Sequence, residues 1–171
     1  DGTPTPMRVF SVVGLIPMLA VETIEPEMLE RLPKFGEQVE RTLEEKPQLA
    51  ALVSRWHEPG RGDRRLLSLL RGHRMKALLK RTFDENQFLS PYGLRSVSRE
   101  HLDHPFEMEF AGQQLRVDYE AGESQTELFG GNSNWRGPVW FPINFLLLES
   151  MYRFHNYYGD DFKVEAPTGS G

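Results

Sequence analysis

The chain predicts a mainly α-helical fold with a short β-hairpin and long loops. Three observations carry that prediction. Apolar residues recur every three or four positions through most of the first half. The segment from Val139 to Tyr158 is apolar nearly all round in its first half and long enough for five helical turns. Between these stretches, Phe106–Tyr119 alternates in the strand manner about an Ala111-Gly112 turn.

Taken in order, Arg8–Glu22 holds a nearly continuous apolar run, whose length predicts a buried helix, kinked or late-starting at Gly14 and Pro17. Thr23–Glu45 opens with Pro26 in a first helical turn, with Glu25 and Glu27 near the positive helix end. Pro33 divides it into two short helices: Met28, Leu29 and Leu32 stripe the first, and Phe35, Val39 and Leu43 the second. Pro47 ends it, and Gln48–Trp56 reads as a further helical turn. After the break Glu58-Pro-Gly-Arg-Gly, Asp63 is placed as an N-cap for Leu66–Leu70. His73–Phe83 forms the next helix, Ser90–Ser98 reads as an exposed turn entering an extended stretch, and Gly159 stops the final helix.

Composition narrows function by exclusion. A net charge of −5 argues against a general nucleic-acid binder. The chain has no cysteine, hence no disulfide framework, thiolate chemistry or cysteine-ligated metal, which fits a reducing, cytoplasmic setting. No apolar run reaches membrane-span length, and the first residues have no signal-peptide character. Both ends are Pro/Gly-rich, which reads as a segment of a larger protein; at 171 residues it is the size of one domain or a piece of one. The eight Lys and Arg from Arg61 to Arg81 read either as a polyanion patch or as a solvated face pairing with the chain's many Glu; no aromatic residues interleave, which favours the second.

Chemistry concentrates in residues 130–145, Gly-Gly-Asn-Ser-Asn-Trp-Arg-Gly-Pro-Val-Trp-Phe-Pro-Ile-Asn-Phe. A turn needs Gly, Pro or Asn; it does not need Trp135, Arg136 and Trp140 beside them. One reading is a helix N-terminus with a buried indole and an arginine ion pair. The other is a sugar site, where indole faces stack on the pyranose C–H face while amide and guanidinium donors bond the hydroxyls. His101 and His104 are a weak metal pair with no further ligand cluster, and no metal or cofactor is expected. Asp118, Glu120, Glu123 and Glu127 cluster before the motif; two carboxyls facing a sugar would serve glycoside hydrolysis, but loop acids are ordinarily solvated.

Asn134-Trp-Arg-Gly-Pro-Val-Trp140 and Pro142-Ile-Asn144 resemble the carboxy-terminal region of glycoside hydrolase family 63, the processing oligosaccharide α-glucosidases and their bacterial relatives. So do Ser11-Val-Val-Gly-Leu-Ile-Pro17, Arg64-Arg-Leu-Leu-Ser68, Ser90-Pro-Tyr-Gly-Leu-Arg-Ser-Val-Ser98 and the tract Tyr157–Gly171, so the likeness runs along nearly the whole chain. The resemblance implies part of an (α/α)6 barrel, an α/α toroid, covering residues 1–171 and incomplete at both ends. Val139–Tyr158 would be an inner helix, with the Tyr92–Ser98 turn at the same rim as the motif.

It implies an inverting hydrolase of α-glucoside or oligosaccharide bonds whose Asp acid lies upstream and whose Glu base lies downstream, about 6.5–9.5 Å apart. No catalytic residue is therefore assigned within the chain, and the isolated 171 residues should be inactive. Substrate-binding candidates are Asn134, Trp135, Arg136, Trp140, Arg95 and Ser96, with an oligosaccharide or small glucoside as ligand. The apolar helices would be covered by the rest of the parent chain or by self-association. Three departures from the family pattern are Phe10 in place of a basic residue, Asn134 in place of an aromatic one and Ala166 in place of Cys. Non-catalytic carbohydrate binding and a helical interaction module remain the alternatives.

Overall fold

A computed structural model describes residues 4, 6–53, 55–70, 72–122 and 137–171. The chain divides into two compact units: Asp1–Gly14, Lys80–Asn144 and Glu165–Gly171 form one, and Leu15–Leu79 with Phe145–Val164 the other. Its helices are α1 (Pro26–Arg31), α2 (Pro33–Glu45), α3 (Pro47–Ala50), α4 (Gly72–Thr82), α5 (Glu100–Asp103) and α6 (Phe141–Tyr158). Among the described residues three two-stranded antiparallel sheets accompany them: β1 (Val21–Ile24) with β2 (Arg65–Ser68), β3 (Leu89–Ser90) with β4 (Gly93–Leu94), and β5 (Phe106–Phe110) with β6 (Gln113–Val117). The chain is thus mainly helical with small sheets.

The run from Arg8 to Glu22 is not an α-helix, as the sequence suggested. Val12–Leu19 winds as a 3-10 helix and Val21–Ile24 is a strand. Only Val12, Leu15 and Met18 are fully buried, while Val13 and Ile16 are exposed. A spacing of three matches three residues per turn. Gly14 and Pro17 disfavour the α-helix that would have buried a wider stripe.

Asp63 is likewise not an N-cap. It closes a short 3-10 turn, Arg61–Asp63, and the leucines beyond it enter β2. There Leu66 and Ser68 turn inward and pair across to Thr23 and Val21. A four-residue apolar run satisfies either periodicity, and the decision lies with a partner strand more than forty residues away in sequence.

Other elements follow their local signals. Pro33 and Pro47 each open a new helix, because proline lacks the N–H that only the first turn can spare. None of α1, α2 and α3 buries a residue. In α4, Met75, Leu79 and Thr82 are buried at helical spacing. Both central residues of the β5–β6 turn, Ala111 and Gly112, have positive φ, the conformation that matches the twist of a two-residue hairpin.

Helix α6 departs from expectation in its burial. Ile143, Leu147, Ser150, Phe154 and Tyr157 form the buried stripe. Phe141, Phe145, Leu148 and Tyr152, on a second stripe of the same spacing, are each more than half exposed. The helix is therefore buried along one side only; its apolar composition exceeds what the described residues cover. Near its end, Phe154, Tyr158 and Phe162 stack in succession, with Lys76 Nζ 4.8 Å from the Phe162 ring centre and the Arg55 guanidinium over Tyr158. Burial pushes the Tyr157 and Tyr158 hydroxyls above their ordinary range, and Tyr157 donates to Glu58 O at 2.7 Å. Among the described residues no helix is long and apolar enough to cross a membrane.

Candidate functional site

The sequence motif enters the described structure at Gly137; Asn134, Trp135 and Arg136 lie outside the described residues, as do Glu123 and Glu127. What the structure shows is the mount from which the motif enters α6. Gly137–Trp140 lies along the 93–98 stretch, joined by a bridge between Arg95 and Val139. Ser96 N donates to Pro138 O at 2.7 Å, and its hydroxyl donates to Gly137 O at 2.8 Å. The other face of the same stretch is occupied too: Val12 N donates to Ser96 O, and Ser11 bridges Val97.

Arg95 points inward. Its Nη1 donates to Glu85 O at 3.0 Å, to Gln87 O at 3.4 Å and to Leu89 O, while Nε donates to the Tyr119 hydroxyl at 3.2 Å. The guanidinium also lies over the Tyr119 ring, 5.6 Å from its centre. A buried cation is tolerated only when fully hydrogen-bonded, and here backbone carbonyls supply the acceptors. The sequence reading assigned Arg95 and Ser96 to a sugar; the structure gives both side chains protein partners, Ser96 on the segment that follows the motif and Arg95 on the Glu85, Gln87 and Leu89 carbonyls and Tyr119.

Sequence reasoning quoted Asn144 within the motif but assigned it no role. Its Oδ1 accepts from Leu94 N at 2.7 Å, and its Nδ2 donates to Leu94 O at 3.2 Å and to Trp140 O at 3.0 Å. One carboxamide thus pairs both backbone groups of a β4 residue, as a neighbouring strand would, and ties them to the carbonyl of Trp140. Trp140 itself is half-buried. The signal was present: asparagine is a poor helix former, and this one interrupts the apolar first turns of α6. At Gly93, φ is +123° and an added Cβ would lie 3.0 Å from Asn144 Oδ1 and 3.2 Å from Val139, so the turn and the helix meet at a position that needs glycine.

His101 is buried with both nitrogens engaged. Nδ1 bonds His104 O at 3.0 Å, which places the proton there, and Nε2 accepts from Phe10 N at 2.8 Å. Phe10 stacks on the imidazole, and the Arg81 guanidinium covers its ring. His101 is thus committed to holding Phe10, and the described residues contain no group of three His, Asp or Glu arranged for a metal. Asp118, half-exposed, accepts from Arg116 Nε at 2.7 Å. From the basic stretch, Arg64 pairs with Glu25 at 2.7 Å and Arg65 donates to Trp56 O. Asn86, Gln87, Arg99, Glu100, Asp103 and His104 line an open polar cavity of about 450 Å³.

The comparisons with known proteins give the family. The chain belongs to the mannosylglycerate hydrolase MGH1-like glycoside hydrolase family, whose domain profile matches residues 51–166. It is 48% identical over 162 residues, 94% of its length, to the "Uncharacterized protein YMR196W" of Saccharomyces cerevisiae, and spans 15% of that protein. It is 33% identical over 81 residues, 47% of its length, to the "Probable mannosyl-oligosaccharide glucosidase" of Schizosaccharomyces pombe, and spans 7% of that protein. No solved structure matches. The chain is thus a glycoside-hydrolase-related segment like the family-63 enzymes its motifs resemble.

Proposed function

We propose that the parent protein is an inverting glycoside hydrolase acting on α-glucoside or oligosaccharide bonds, and that these residues supply part of its substrate wall and scaffold. One observation carries the reading: the family match includes both the polar-aromatic motif and the clamp that seats it, Ser96 on Gly137 and Pro138 with Asn144 on Leu94. In this reading Asn134, Trp135, Arg136 and Trp140 face the sugar. Arg95 and Ser96 act one step back, as positioning residues. The acid and base lie outside this chain, so no step of bond cleavage is assigned to its own carboxylates.

The open stripe of α6 supports an (α/α)6 toroid in the whole protein, since Phe141, Phe145, Leu148 and Tyr152 require a covering layer. Other helices of the parent chain would provide it; a second copy is the alternative. The absence of cysteine supports a cytoplasmic enzyme, and the acidic balance one without nucleic-acid partners.

The test is kinetic, in the full-length protein. Trp135→Ala and Arg136→Ala should each lower kcat/KM on an α-linked oligosaccharide by about a hundredfold, the scale of losing one directed contact to the transition state. Proton NMR of the first turnover should show β-configured product. Wild-type kinetics in both variants, or retained configuration, overturns the proposal.

A further inference from the structure

We draw no further inference here: the strongest candidate, the open polar cavity lined by Asn86, Gln87, Arg99, Glu100, Asp103 and His104, carries nothing, because the chain spans 15% of the Saccharomyces cerevisiae protein it matches and nothing in the structure shows what covers or fills that cavity in the whole protein.

Discussion

Around Arg95 the protein buries polar groups and joins them to one another, whereas along α1–α3 it buries no side chain and relies on charged tethers. In the clamp, carbonyls of Glu85, Gln87 and Leu89 converge on one guanidinium, and Asn144 stands in for a strand beside Leu94. In the helical arm, Glu25 reaches Arg64 and Glu40 accepts from Trp56 Nε1 at 2.7 Å. In the arm Met28, Leu32, Phe35 and Leu49 are exposed and Leu29, Val39 and Leu43 only half-buried. A polar clamp adds little net stability over an apolar core, but breaking it leaves buried groups without partners. Its use is positional: it admits one arrangement of the segment it holds. An exposed arm fixes little and loses little.

Arg95→Met should break that contrast most severely. Losing the guanidinium leaves carbonyls without their donor and should cost about 3 kcal/mol or more of unfolding free energy in the full-length protein, measured by urea denaturation. A loss below that expected in the arm would mean the clamp is not what holds this region. Asn144→Leu comes next, at about 2 kcal/mol, since a side chain of similar size keeps the packing but abandons both backbone groups of Leu94. Amide exchange at Leu94 should rise with it; unchanged protection there would refute the pairing role. Smallest is Glu40→Ala, which removes the acceptor of Trp56 Nε1 and should cost about 1 kcal/mol with no change in sugar affinity. A cost equal to that of Arg95→Met would erase the distinction between the two regions.

Much of the helical framework was legible locally. Pro26 announced a helix start, Pro33 and Pro47 helix boundaries, Gly159 a stop, and Ala111-Gly112 a hairpin, because each is a backbone preference carried by the residue itself; that Pro47 also opens a helix was not read. What misled were short apolar runs. Val12–Leu19 and Arg65–Ser68 are compatible with more than one period; Gly14 and Pro17 turn the first to a 3-10 helix, and a distant partner strand decides the second. At the site, the motif's residue types pointed to a sugar enzyme without any coordinate. The sequence reading set Arg95 and Ser96 against a sugar, yet whether a guanidinium faces a ligand or a ring of carbonyls is not written in its neighbours along the chain. Asn144 went unassigned for the same reason, because its partner Leu94 is fifty residues away.

By itself, then, the sequence determined the family, the predominantly helical character, the helix boundaries set by proline and glycine, and the concentration of indole, amide and guanidinium groups just before α6. These depend on torsional preferences and on residue chemistry, which are local. Tertiary structure alone decided that the Leu66–Ser68 run is a strand, that α6 is buried along only one of its two apolar stripes, and that Arg95, Ser96 and Asn144 grip backbone. Those outcomes depend on which distant groups arrive beside a residue, and a buried polar atom takes whichever partner the fold delivers.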